Sequence, residues 1–271
     1  MISVVIPARN EKYLHKTIRD VLQKSKEKIE IIAVLDGYWP DPDDIIEDPR
    51  VHYIHVGKPK GMRNAINQGV ALSAGEYILK CDAHCMFSKG FDEVLKADCD
   101  DNTVVVLRRY ALDPEKWELE SNPKYPIDYM YLSNDLHGRV WHEKNKDEQL
   151  KRKEIDDLMS AQGSMWFMKR EYFDYLELMD EYHWGEFARE FQEIGLKAWL
   201  SGGRVIVNKK AWYAHWHKSK ADGRGYSLDR NEIEKANKYV LQFFYKLPWA
   251  KQKYKFNYLL DKFKPIPTWT I

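Results

Sequence analysis

No apolar run in the chain approaches the roughly 18–20 residues that a bilayer-spanning helix needs, which excludes a helical membrane protein. Cysteine is scarce: Cys81, Cys85 and Cys99 are the only three among 271 residues. An odd, closely spaced set of thiols is a poor basis for a disulfide framework and points to free cysteines in a reducing, cytoplasmic setting. A zinc site drawn from Cys81, His84 and Cys85 would be short of a fourth ligand. No charged and apolar leader opens the chain. Met1 runs directly into Ile2-Ser3-Val4-Val5-Ile6-Pro7, a strand pattern, so no secretory signal is expected. Strong net charge is lacking too, at +1 overall. With 44% hydrophobic and 31% charged residues, the composition is that of an ordered globular enzyme.

What the chain does have is alternation, over a length that suffices for one large α/β domain with a small appendage. Ser3–Pro7 reads as an apolar strand, and Ile18, Val21 and Leu22 share one face of a helix over Thr17–Lys24. Ile29–Leu35 is a nearly continuous apolar run suited to a central parallel strand. It ends at Asp36-Gly37, where such strands hand over to ligand-binding loops. Val51–Val56 is a third strand, Arg63–Ala74 a helix with Ala65, Ile66 and Val70 inward, and Glu76–Cys81 a fourth strand. This order predicts a mostly parallel, Rossmann-like sheet flanked by helices. Thr103–Arg108 adds a strand, while residues 110–158, polar and turn-rich with Pro114, Pro123 and Pro126, read as a loop or hairpin excursion. Ala161–Met168 reads as a strand, Glu186–Leu200 as a helix, and Arg204–Val207 as a strand following Gly202-Gly203.

The near-neutral total conceals a division. From Lys209 to Lys264, 14 Lys and Arg stand against 5 Asp and Glu, a net of +9. The rest of the chain has 29 basic and 37 acidic residues, a net of −8. Trp212, Trp216, Tyr239, Phe243, Phe244, Tyr245, Trp249, Tyr254, Phe256 and Tyr258 interleave with that basic charge. Such a strip is either a set of solvated helix faces or a surface for an anionic, stackable partner.

Asp82-Ala83-His84 stands at the carboxyl end of the fourth strand. In an extended segment, alternation puts Asp82 and His84 on one side, where both can reach one cation. A carboxylate with an imidazole suits Mn²⁺ better than Mg²⁺, which prefers oxygen ligands throughout, although Mg²⁺ stays open. Taken alone, the triplet fits a helix cap beside a surface histidine better, since Asp-x-His is common by chance.

The motifs around it carry a resemblance. Ile2-Ser3-Val4-Val5-Ile6-Pro7-Ala8-Arg9-Asn10-Glu11 resembles the opening strand and Asn-Glu turn of family 2 type glycosyltransferases of the GT-A fold. Val34-Leu35-Asp36-Gly37 is similar to their nucleotide-binding turn, with Leu35 where the family has a first acid. Gly61 and Gly75-Glu76-Tyr77-Ile78 resemble the helix and strand leading to the metal motif. Cys81-Asp82-Ala83-His84-Cys85 is closer to the polypeptide N-acetylgalactosaminyltransferases, as are Ala161-Gln162-Gly163-Ser164-Met165-Trp166-Phe167, Tyr172-Phe173, Asp180-Glu181, Glu190-Phe191-Gln192-Glu193 and Tyr213-Ala214-His215-Trp216. The ordered motifs span about residues 2–218.

The resemblance implies a GT-A catalytic domain over 1–218 and a basic, aromatic, helical extension over 219–271. It implies Asp82, His84 and His215 as ligands of Mn²⁺, with His217 competing for the third place. Donor contacts would come from Pro7, Asp36, Arg63, Asn64, Asp82, Gly163 and Trp184, the arginine standing one residue off the family pattern. Glu190 would bind sugar hydroxyls, with Glu186 the rival register, whereas Glu193 reads as a solvated helix face supporting Lys197 by i,i+4 pairing. The implied activity is transfer of a sugar from a UDP-sugar to an acceptor hydroxyl, a cation neutralising the departing diphosphate. The nearest subgroup retains anomeric configuration. Inverting relatives place an Asp after the Glu, and here Phe187 follows Glu186 and Phe191 follows Glu190. Secreted members carry a membrane anchor and a lectin domain, neither of which is expected here. The basic tail directs attention to DNA carrying a hydroxymethylated pyrimidine as acceptor, with protein Ser/Thr or a saccharide chain as alternatives. From another class, a non-catalytic nucleic-acid or sugar-nucleotide binding module is the remaining reading.

Overall fold

The computed structural model describes residues 1–121, 126–218, 223, 225–245 and 249–270; Pro123 and the side chains of Phe243, Phe244 and Tyr245 lie outside the described residues. Apolar runs build the first half of the sheet. Strands β1 (Ile2–Ala8), β2 (Ile29–Asp36), β3 (Val51–Val56) and β4 (Tyr77–Cys81) run parallel in the order β4-β1-β2-β3. Both faces of β1 and β4 are covered, which is why they read as continuous hydrophobic runs rather than alternating ones. Helix α1 (Leu14–Lys24) connects β1 to β2 and buries Leu14, Thr17, Ile18 and Val21; α2 (Met62–Leu72) precedes β4 and buries Ala65, Ile66, Gly69 and Val70. At Gly69 a Cβ would stand 2.4 Å from Val5 Cγ1, so only glycine lets α2 lie this close to β1.

Beyond β4 the sheet becomes mixed. A short β5 (Cys85–Phe87) leads through α3 (Phe91–Ala97) to β6 (Thr103–Asp113). The excursion over 110–158 then carries β7 (Glu118–Leu119), the hairpin β8 (Met130–Leu132) and β9 (Gly138–Val140), helices α4 (His142–Lys146) and α5 (Glu148–Arg152), and β10 (Ile155–Asp157). β11 (Met165–Lys169) returns antiparallel between β4 and β6. Helices α6 (Arg170–Tyr175), α7 (Glu181–Trp184) and α8 (Glu190–Leu200) precede β12 (Arg204–His215), and α9 (Arg230–Tyr245) and α10 (Phe256–Phe263) follow it. The full order is β10-β12-β6-β11-β4-β1-β2-β3, with β12 parallel to β6. This is the expected α/β class, with antiparallel additions.

Several boundaries differ from the sequence reading: α1 begins three residues early at Leu14, β6 continues past Arg108 to Asp113, α2 stops at Leu72, and three more differences bear on the site. β12 runs to His215 instead of stopping at Val207, because pairing with β6 resumes after a bulge between Asn208 and Trp212 and carries Lys209 and Lys210 through. The strand expected over Ala161–Met168 starts at Met165. α8 starts at Glu190 rather than Glu186, since Gly185 (φ 68) and Arg189 (φ 63) turn the chain out of helical geometry.

The C-terminal segment shares the main core: Val240, Phe256, Leu259, Leu260, Phe263 and Ile266 cluster with the residues of β1 and β4. Three lysines of the basic stretch from Lys209 to Lys264 pair with acidic residues of the rest of the chain, Lys210 with Asp98 (3.0 Å), Lys251 with Glu177 (3.0 Å) and Lys262 with Asp157 (2.7 Å). No helix among the described residues is long and apolar enough to cross a membrane.

Candidate active site

A cleft of about 540 Å³ opens where β1, β2 and β4 end, and Pro7, Asp36, Asp82, His84, Gly163, Glu186, Glu190 and His215 all line it. Asp82-Ala83-His84 forms a turn between β4 and β5 rather than an extended segment, yet both side chains reach the same point. The third member arrives on β12, whose His215 pairs in register with Cys85. One ligand atom each from Asp82, His84 and His215 lies within 4.8 Å of the others. Asp82 Oδ2 stands 3.1 Å from His215 Nε2, and His84 Nδ1 is 3.0 Å from Glu11 Oε2, which leaves His84 Nε2 for the cluster. Glu11 is itself held by Lys218 Nζ at 2.5 Å. A carboxylate behind a histidine is the usual way to set the ring and tautomer of a metal ligand. His215 Nδ1 is buried with no hydrogen-bond partner among the described residues. His217 lies outside the cluster, with Nε2 2.8 Å from Arg109 Nη1.

Burial and neighbouring charges keep Asp82 ionised and His215 neutral. Burial opposes the charge on Asp82, but Lys80, His215 and His84 outweigh it and hold the carboxyl far below its usual range. Burial, against the pull of Asp82, lowers His215 to about 3, so its imidazole is neutral and free to ligate at neutral pH. Burial and Arg109 likewise lower His217 to about 4. Cys81 and Cys85 are fully buried free thiols whose pKa values burial raises well above the ordinary range; the zinc alternative is thereby corrected, since the thiols belong to the apolar core.

Sequence reasoning missed Lys80, two residues before Asp82. Its ammonium is fully buried and reaches Asp82 Oδ1 (2.7 Å), the Gly163 carbonyl (2.7 Å) and Glu190 Oε1 (3.1 Å). Trp166 Nε1 donates to Glu190 Oε1 at 2.7 Å. Burial raises the Glu190 pKa, partly offset by Lys80. A Cβ at Gly163 would stand 2.4 Å from Glu190 Oε2, so the glycine makes room for this carboxylate. The only available signal was a lysine inside an apolar strand.

Other expected residues are placed unevenly. Asp36 faces the cleft but also accepts from the backbone N–H groups of Lys60 (2.7 Å) and Gly61 (3.0 Å), shaping the approach to α2. Glu186 sits at the rim in a loop, its pKa raised by burial and by Glu232. Arg63 is fully buried and turned away from the cleft, pairing with Glu193 and donating to the Ala188 carbonyl at 3.0 Å. Asn64 donates to Glu181 at 3.0 Å on the surface, and Trp184 is buried edge-on to Tyr239 of α9. Glu193, expected on a solvated face, is fully buried between Arg63 and Lys197 (2.7 Å). The i,i+4 pair forms, but in the interior, where Arg63 of α2 and the Asp180 N–H also reach the Glu193 carboxylate.

The model of Glycosyl transferase family 2 matches residues 3–176, well over half of the sequence. The chain belongs to this family. Glycosyltransferase GlyG of Streptococcus pneumoniae is 31% identical over 121 residues, 42% of this chain and 40% of that protein, so the chain spans about two fifths of the length of this relative. The crystal structure of GalNAc-T7 with UDP, GalNAc and Mn²⁺ superposes with a TM-score of 0.68 at 18% identity, covering 84% of this chain and 45% of that one. Staphylococcus aureus TarS 1–349 in complex with UDP-GlcNAc gives 0.59 at 12% identity, covering 92% and 68%. At these identities the structural likeness speaks for the GT-A fold alone.

Proposed function

We propose that the chain moves a sugar from a UDP-sugar to an acceptor hydroxyl with retention of anomeric configuration. The observation that carries this is the convergence of Asp82, His84 and His215 at the mouth of a cleft that Asp36 and Glu190 also line. A carboxylate and two imidazoles fit Mn²⁺. Held there, the cation would neutralise the negative charge of a diphosphate leaving group. The chain's own residues do the rest. Asp36 and Pro7 bound the nucleotide end of the cleft, Glu11 keeps the His84 ring in place, and Lys80 fixes Glu190 for contact with sugar hydroxyls.

Retention agrees with the state of the cleft carboxylates. Glu11, Asp36, Asp82 and Glu190 are each engaged by cationic or N–H partners, and none is poised as a base for an incoming hydroxyl. Glu186 at the rim is the one alternative, and makes Glu186→Gln the decisive variant for an inverting mechanism. Among acceptors, a hydroxymethylated pyrimidine in DNA drew on the basic tail, and several of those lysines are neutralised by the chain's own acids. The test is UDP release from UDP-GlcNAc and UDP-GalNAc with Mn²⁺, and the product anomer by NMR once an acceptor is found. Mn²⁺-dependent UDP release is expected. Tight UDP binding with no release, with or without acceptors, would make this a binding module instead.

A further inference from the structure

Most cations held in or beside this cleft find carboxylates, Arg189 excepted, whose guanidinium meets Asn237 Oδ1, the Leu136 carbonyl and the His137 ring. Lys80 has Asp82 and Glu190, Arg63 has Glu193, and Arg108, beside Arg109 on β6, takes a two-point grip on Asp128 at 2.9 and 2.7 Å. Arg109 breaks this pattern. It lines the cleft and is 6% exposed, yet among the described residues no carboxylate accepts from it. Nη1 donates to Gln162 Oε1 and meets His217 Nε2 at 2.8 Å, and among the described residues Nη2 has only the Met130 thioether at 3.9 Å. A buried guanidinium surrounded by neutral groups is costly to hold unless an anion joins it.

The sheet order says on which side that anion would arrive. β1 and β2, which carry Pro7 and Asp36, lie on one side of β4; β6, which carries Arg109, lies on the other, beyond β11. His217 stands between Arg109 and His215, with the two imidazole rings 5.0 Å apart. Ile127, Met130 and Val140 of the excursion wall this end with apolar surface, which strengthens any contact between charges inside it.

We propose that Arg109 is the anion-binding residue of the acceptor subsite, and that the acceptor carries an oxyanion, a phosphate ester or a carboxylate, beside the hydroxyl that takes the sugar. The inference rests on the transferase reading above. The planar fork of a guanidinium suits a two-oxygen anion better than a lone hydroxyl.

The experiment uses the full chain saturated with UDP and Mn²⁺, titrated in the calorimeter with glycerol 3-phosphate, D-glycerate, a short oligonucleotide bearing hydroxymethylcytosine, and uncharged glycerol. At least one oxyanion probe is expected to bind about tenfold tighter than glycerol. Arg109→Gln should lose that advantage while UDP affinity stays within about twofold, and Arg109→Lys should recover part of it. Whichever of the monoester, carboxylate and phosphodiester binds best identifies the source of the oxyanion. Should Arg109→Gln fail to fold, the Arg109 side-chain Nε–H resonance of the wild-type chain must shift on adding the probe. The proposal is overturned if the UDP-bound wild type binds no oxyanion probe better than glycerol, or if Arg109→Gln binds them equally. A tenfold loss of UDP affinity in Arg109→Gln would overturn it too, by assigning the guanidinium to the donor diphosphate. Failure of UDP and Mn²⁺ to bind the wild type would instead sink the transferase reading on which this stands.

Discussion

On the β1–β4 side of the cleft the strands are parallel and Asp36, Lys80 and Glu11 each have counterparts: Asp36 takes two backbone N–H groups, Lys80 bridges Asp82 and Glu190, and Glu11 joins His84 to Lys218. On the β6–β12 side the strands run both ways, the chain detours through 110–158, and Arg109 lies buried among neutral groups. A self-satisfied half is organised before any ligand binds, so it suits a donor common to many family members. A half with an unanswered charge is completed by its ligand, and that is where acceptor choice would reside.

The largest effect that would sharpen this contrast lies at the junction. Asp82→Ala, His84→Ala and His215→Ala should each lower UDP release by roughly 10²–10³-fold, the size of one lost electrostatic contact to developing charge. His217→Ala should retain most of it. A dead His217→Ala beside an active His215→Ala would reverse the ligand assignment. Next comes Glu193→Ala, which strands Arg63 and Lys197 in the interior and should cost about 3–5 kcal/mol in urea unfolding. A loss under about 1 kcal/mol would mean that these charges do not depend on pairing there.

Glu11→Gln should weaken Mn²⁺ binding, followed by electron paramagnetic resonance, by about 10–100-fold through loss of orientation at His84. Unchanged affinity would show that Glu11 serves Lys218 alone. Asp36→Ala should raise the donor KM about tenfold with kcat little changed, and an unaltered KM would reduce Asp36 to a support for the Lys60-Gly61 turn. The smallest effect is expected from charge reversal at Lys251, Lys253 and Lys255. Only Lys251 has a carboxylate partner among the described residues, an exposed one, so stability should fall by no more than about 1 kcal/mol with UDP release unaffected. A selective tenfold drop in transfer to hydroxymethylated DNA would return the tail to the acceptor surface.

The parallel half was largely legible. Val51–Val56 matches β3 residue for residue, and Ile29–Leu35 falls one residue short of β2, because burial on both faces writes itself as an unbroken apolar run. The excursion was legible only as irregular, since its hairpin and short helices are held by distant backbone partners such as the Arg109–Ile127 and Met130–Ser160 bridges. Within the site, residue types at the turn announced Asp82 and His84. Lys80, Glu11 and the burial of Glu193 went unnoticed because each owes its role to a partner remote in sequence.

The sequence by itself determined the α/β class, the parallel strands and a carboxylate–imidazole pair at a strand end, because periodicity, turn residues and short motifs are local properties of the chain. Only the tertiary structure decided that His215 rather than His217 joins Asp82, 133 residues earlier, in the cluster, that Arg63 faces inward, and that Arg109 has no acid partner among the described residues. Charge pairing in an interior depends on which strands become neighbours, and that order follows from burying the whole sheet at once rather than from any one segment.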